Sequence, residues 1–166
     1  MQRAQWRILA ATVFVLGAIV VAEADGPPVP RSTVSVGRSH TVSAVSLSRA
    51  AALGNARAQT QLGYMYETGI GVPQDYHLAA LWYHRAAEQG EPRAQHLLGL
   101  LLNKGFGVPV NFIESHKWLN LAAAQVGGDD RDYYLRIRNA VASKLTLREI
   151  YEAQRRARYW RPLPER

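Results

Sequence analysis

Residues 54–89 read GNARAQTQLGYMYETGIGVPQDYHLAALWYHRAAEQ, and residues 90–125 read GEPRAQHLLGLLLNKGFGVPVNFIESHKWLNLAAAQ. Aligned without a gap, the two segments are identical at 14 of 36 positions. Among the identities are Arg57/Arg93, Gln59/Gln95, Gly63/Gly99, Gly69/Gly105, Gly71/Gly107, Trp82/Trp118 and Gln89/Gln125. A fixed period of this length marks a repeat architecture, in which each unit buries its apolar face against its neighbours.

Each copy carries two helical patterns. In the first copy Ala58, Leu62, Met65 and Tyr66 recur at i, i+4, i+7 and i+8, one face of an α-helix. Gly69-Ile70-Gly71-Val72-Pro73 interrupts it: Gly69 suits a left-handed helix end, and Pro73 cannot continue a helix. Asp75 is a good N-cap for a second helix, whose apolar face is Ala79, Trp82, Tyr83, Ala86 and Ala87. The second copy repeats this with Ala94, Leu98, Leu101 and Leu102, then Ser115, Trp118, Leu119, Ala122 and Ala123. Pro92 fits the first turn of its first helix, and Asn111-x-x-Glu114 reads as a capping box for the second. The expected fold is all-α: a solenoid of antiparallel helix pairs with helical caps. Gly63 and Gly99 lie inside first helices, where each costs about 1 kcal/mol relative to Ala. Their repetition implies close helix–helix approach, with Trp82 or Trp118 as the expected bulky neighbour. Gly63→Leu is expected to lower the melting temperature.

These residues resemble the Sel1-like repeat family, a branch of the tetratricopeptide-like α-solenoids. The family pattern is A-x3-L-G-x-x-Y-x2-G-x-G-V-x2-D-x3-A-x2-W-Y-x-K-A-A-x2-G. The first copy follows it from Ala58 to Gly90, with Arg85 in place of Lys. The second keeps the glycines, Val108 and Trp118 and departs at Leu102, Asn111, Ser115, Leu119, Leu121 and Val126. The Thr-x-x-Glu-Ile-x-x-Ala-Gln-Arg stretch beginning at Thr146 is similar to the C-terminal cap of bacterial members. The resemblance implies an adaptor that binds a protein or peptide partner, and not a reaction. In such solenoids the first helix of each pair lines the concave groove. Helical phase then nominates Gln61, Tyr64, Thr68, Leu97, Leu100 and Lys104 as partner-binding residues. Gly63, Gly69, Gly71, Trp82, Gly99, Gly105, Gly107 and Trp118 are nominated as structural ones.

The flanks divide further. Residues 1–24 read as an export signal: Arg3 and Arg7 precede an uncharged run from Ile8 to Ala22, and Ala22-Glu23-Ala24 forms a small-x-small cleavage site. The segment is either cleaved or retained as a membrane anchor through residues 8–22, and an extracytoplasmic location is expected. Residues 25–40 are a Pro/Ser-rich linker. Residues 41–53 form a degenerate second helix that caps the first repeat. Beyond repeats 54–89 and 90–125 the periodic pattern ends at Gly127-Gly128. Residues 129–161 are expected to form a helical hairpin cap, with Asp129 or Asp130 capping its first helix and Thr146-x-x-Glu149 boxing its second. Pro162 and Pro164 end the last helix.

The chain has 166 residues, a formal net charge of +7 and no cysteine, which excludes disulfides, thiolate metal sites and a cysteine nucleophile. Residues 129–166 hold ten basic and six acidic side chains. With Tyr159 and Trp160, Arg155, Arg156, Arg158 and Arg161 make a basic-aromatic cluster, read first as a solvated helix face, with contact to an anionic envelope surface as the alternative and nucleic acid not expected. The Gly-x-Gly turns lack the Gly-Lys-Ser/Thr of a phosphate loop and join two helices. His40, His77, His84, His96 and His116 lack the i, i+4 pairing of a helical zinc site and are read as solvated helix surface. No catalytic, metal or cofactor residue is expected. Two other readings stay open. A cell-wall-fragment or β-lactam-binding or hydrolysing enzyme is implied by resemblance to cysteine-rich secreted members. A membrane-anchored structural component is implied by residues 8–22.

Overall fold

The structure, a computed structural model, describes residues 45–164. The export signal expected at 1–24, the linker expected at 25–40 and His40 lie outside the described residues. The described part of the first helix, α1, covers 45–52. Six further helices follow: α2 (Ala56–Thr68), α3 (Tyr76–Glu88), α4 (Pro92–Lys104), α5 (Phe112–Gln125), α6 (Gly128–Ala142) and α7 (Leu147–Tyr159). No strand occurs among the described residues. The fold is an all-α solenoid in which α2 pairs with α3 and α4 with α5, and α3 packs on α4.

Local chemistry sets each helix boundary. Asn55, Asp75, Glu91 and Asn111 each accept a hydrogen bond from the backbone N–H three residues on, covering donors that a helix start leaves open. The Asn111 box does not close. The Asn111 N–H donates to the Leu102 carbonyl at 2.9 Å, and Glu114 turns to Lys117 and Arg156. Asp75 N–H donates to Tyr66 O in the same way, at 2.8 Å, so each turn is tied back onto its own first helix. Gly69 and Gly105 end α2 and α4 with φ of 74° and 75°, a region most side chains avoid. Gly107, at φ 69°, lies against the Tyr76 carbonyl at the start of α3, where a Cβ would overlap it.

Gly63 and Gly99 do mark close approach, but tryptophan is not the neighbour. A Cβ on Gly63 would stand 2.7 Å from the Tyr83 ring, and one on Gly99 would stand 2.7 Å from Leu119 Cγ. Tyr83 and Leu119 occupy the same repeat position, one residue after the tryptophans. That one-residue step turns a side chain about 100° around the helix, toward the partner helix of the same repeat. The tryptophans sit instead at the seam between their own repeat and the preceding unit. Trp82 packs with Leu47, Ala50, Ala51, Ala58 and Leu62, while Trp118 joins the main core of α3, α4 and α5.

Conserving the period also conserves a glutamine ladder. Buried Gln59 and Gln95 donate to the carbonyls of Ala51 and Ala87, each near the end of the preceding helix, at 3.0 and 3.2 Å. Gln89 and Gln125 in turn donate to Gln59 and Gln95 at 2.7 and 2.8 Å. The ladder gives those carbonyls, which also accept from the Gly54 and Gly90 N–H groups, a second donor and ties each repeat to the one before.

The spacing of helix starts outlasts the residue identities. α2, α4 and α6 begin at residues 56, 92 and 128. Gly127, not Asp129 or Asp130, is the N-cap of α6; both aspartates lie within its first turn, where their charge favours the helix dipole. Thr146 and Glu149 close a full capping box on α7. α6 and α7 each pack on α5 more than on each other. After α7 the chain turns back over α3. Trp160 meets Trp118 edge-on at 5.8 Å, and the Leu163 N–H donates to Glu88 O at 2.7 Å.

Candidate functional site

The first helices of the successive pairs, α2, α4 and α6, share one layer, and their outward side chains form the candidate binding face. Gln61, Tyr64, Thr68 and Lys104 are exposed; Leu97 and Leu100 are half-buried, and Leu97 also packs on the core. No hydrogen bond, ion pair or ring contact joins these six to one another. Thr68 donates to its own Tyr64 carbonyl, and Lys104 Nζ lies 5.6 Å from the Phe106 ring.

Residues outside that set link the helices. The Arg93 guanidinium on α4 lies 5.7 Å over the Tyr64 ring on α2. Beneath it the buried Tyr83 donates to Glu67 at 2.6 Å, and burial together with that bond pushes the phenol well above its ordinary pKa. Thr60 Oγ1 donates to Glu91, the α4 cap, at 3.1 Å. Toward the C-terminal end His96 stacks on Tyr134 with ring centroids 4.0 Å apart, and Arg136 lies 5.9 Å over Tyr133. The face therefore alternates aromatic rings with guanidinium groups, an arrangement favoured by the ring quadrupole. Two signals in the sequence pointed here: the Arg57/Arg93 identity, and Tyr133-Tyr134 standing 36 residues beyond Leu97-Leu98.

Two histidines are not solvated surface. His96 is 5% exposed and His116 2% exposed, and the Nδ1 of each has no partner. Burial lowers the His96 pKa to about 4; burial, with Arg138 nearby, lowers that of His116. Both are therefore neutral near pH 7, held in place by packing. His77 and His84 are exposed, and among the described residues no group of three or more His, Asp or Glu side chains could hold a metal ion.

The opposite layer has its own cleft of about 370 Å³ between α3 and α5, walled by His77, Leu81, His84, Leu98, Leu102 and Trp118. Its lining is mostly apolar. Lys117 Nζ stands 3.9 Å from the Trp118 ring and bonds Glu114 at 2.9 Å. Burial would raise the Glu114 pKa, but hydrogen bonds from Arg156 and Lys117 outweigh it and hold the carboxyl below its ordinary range. Nothing here places a nucleophile beside a base.

The geometry defines an α-solenoid with an open face on its first helices. The Sel1 repeat model matches residues 56–91 and 92–126, and the chain is a Sel1-repeat protein. It is similar to the crystal structure of a protective antigen of uropathogenic Escherichia coli strains displaying an SLR fold. Identity there is 30%, the TM-score is 0.67, and the match covers 73% of this chain and 25% of that one. A Sel1 repeat protein from Oxalobacter formigenes is 38% identical at a TM-score of 0.54, covering 58% of this chain and 28% of that one. The chain thus spans about a quarter of the length of these structures. No curated protein matches it.

Proposed function

We infer that the protein is an extracytoplasmic adaptor that binds a protein or peptide segment across the outward face of α2, α4 and α6. Sel1-repeat proteins are generally interaction scaffolds, which supports the class. The observation that carries the site is the row of exposed aromatic and cationic side chains on that face, Tyr64 with Arg93 and Tyr133 with Arg136. Flat rings give contact area at low entropic cost, and guanidinium groups take carboxylates in a bidentate fork. The fitting partner is a segment bearing apolar and acidic side chains. The Ile8–Ala22 run with its cleavage site supports export.

In-cell crosslinking from this face, followed by affinity capture, tests the site. A partner crosslinked to the wild type is expected to be lost from Tyr64→Ala/Leu100→Ala while helicity is retained. Undiminished capture by the folded double variant overturns the assignment. N-terminal sequencing of the mature protein is expected to start at Asp25; an intact Met1 favours an anchored form.

A further inference from the structure

The outer side of α7 is the second surface that the core does not use. Its inner side is small and buried: Ala153 and Ala157 pack on α5, with Ile150 and Trp160 half-buried beside them. The opposite side carries Leu147, Arg148, Tyr151, Arg155, Arg158 and Tyr159. They are spaced so that they share one helical face. Leu147 is 86% exposed, Tyr151 65% and Tyr159 72%. Glu149 and Glu152 sit at the margin of this face rather than on it, half-buried.

The charges on this helix divide into two groups. Arg156 bridges Glu114 at 2.6 Å and Glu152 at 2.8 Å, and Arg155 pairs with Glu152 at 2.8 Å. The Glu114 bridge ties α7 to α5, the Glu152 pairs lie within α7, and together they neutralise part of its charge. Arg148 and Arg158 have no acidic partner among the described residues, while Arg161, just beyond the helix, donates to the carbonyls of Arg158 and Trp160. Unpaired guanidinium groups therefore alternate with a fully presented leucine and two tyrosine rings along about 20 Å of helix.

We propose that this face of α7 docks on an anionic phospholipid surface. Guanidinium groups bind phosphate in a bidentate fork, tyrosine rings settle at the headgroup level, and Leu147 enters the acyl boundary. The apolar members favour lipid over nucleic acid, since a leucine so exposed has no use on a phosphodiester chain. The same chain carries the uncharged Ile8–Ala22 run behind Arg3 and Arg7, a segment of membrane chemistry in its own right. Because α7 packs on α5, docking by its outer side leaves the outward face of α2, α4 and α6 free for a partner. The proposal stands whether or not that face binds one.

The absence of cysteine makes a site-specific test simple. Leu147→Cys in the full chain, labelled with an environment-sensitive fluorophore, is titrated with vesicles of phosphatidylcholine alone or containing phosphatidylglycerol. Tyr159→Cys is a second probe position on the same face, and Tyr64→Cys is the control on the other layer. The α7 probes are expected to shift to the blue on the phosphatidylglycerol vesicles only, with Tyr64→Cys silent. Added Arg148→Gln/Arg158→Gln, which breaks no ion pair, should weaken that response about thirtyfold, at about fivefold per charge. High salt should weaken it as well. An equal response on neutral vesicles overturns the proposal, because residues 8–22 would then account for the binding. So does silence on both vesicles, or a response to duplex DNA or polyglutamate at lower concentration than to phosphatidylglycerol. Matching circular dichroism of all variants excludes misfolding as the cause.

Discussion

The two repeats are built on one pattern, yet they are buried to different depths. Trp118 is 2% exposed, beneath α4 and the returning Trp160. Trp82 holds the same position and is half-buried, against α1, with Arg85 4.8 Å over its ring. The side chain is the same; the neighbouring unit differs. In a solenoid each repeat is stabilised by the interface it shares with the next, so an end repeat is weaker than its sequence implies. The sharpest test replaces each tryptophan. Trp118→Ala is expected to cost about 4 kcal/mol and Trp82→Ala about 2 kcal/mol, read from denaturant midpoints. Equal losses would remove the distinction between inner and outer repeat.

The buried glycines sharpen the comparison next. The Tyr83 ring beside Gly63 is flat and tethered through its hydroxyl to Glu67, so it cannot yield to an added methyl group. Leu119 beside Gly99 has other rotamers available. Gly63→Ala should destabilise by about 2 kcal/mol and Gly99→Ala by about 1 kcal/mol, after allowing for the better helix propensity of alanine. Thermal melts of the two variants decide it; a larger loss at Gly99 would place the rigid neighbour in the wrong repeat.

Much of this was legible because a repeat states its constraints twice. Glycines at one phase in both copies announced close approach, and Asp75 and Asn111 announced helix starts. The identity of the neighbour was not legible. Helical phase alone does not say whether position 82 or 83 faces the partner helix, since both lie on the broad apolar stripe. The burial of His96 and His116 was hidden for a related reason. Each sits at a position where the other repeat has Thr60 or Ala80; Tyr133 and Tyr134 of α6 pack on His96, and Arg138 of α6 lies near His116. The candidate face was half legible. Phase nominated Tyr64 and Leu100, but Arg93, Tyr133 and Arg136 depend on how α6 continues a spacing whose residues no longer repeat.

His96 gives the second repeat a pH response that Thr60 cannot give the first. Its pKa falls from an unfolded value near 6.5 to about 4 in the fold, so the unfolded chain takes up the proton more readily. The contribution from neutral His96 is intact above pH 6.5, shrinks as pH falls toward 4, and is lost below it. A pKa shift of that size corresponds to a loss of about 3 kcal/mol once the pH is below 4. His116 shifts in the same direction and adds to the slope. Stability measured from pH 7 to 4.5 should fall for the wild type and fall less for His96→Gln. Glu152 acts in a lower window, because Arg155 and Arg156 hold its pKa at about 2. An unchanged slope in His96→Gln would assign the response to His116 alone.

The smallest expected effect lies at position 83 itself. Tyr83→Phe keeps the ring against Gly63 and removes only the hydroxyl that donates to Glu67. Glu67 is half-buried, so water replaces the lost donor, and the change should cost about 1 kcal/mol. The second repeat already lives without this bond, because Leu119 and Asn103 stand where Tyr83 and Glu67 do. The variant thus brings the first repeat closer to the second in chemistry while leaving its outer position unchanged. Freed from its tether, the ring should also tolerate a neighbour better. Gly63→Ala measured in the Tyr83→Phe background should cost less than in the wild type, a non-additive pair as expected for side chains in contact. Strict additivity would mean that the ring is held by packing alone and that the hydroxyl bond lends it no rigidity.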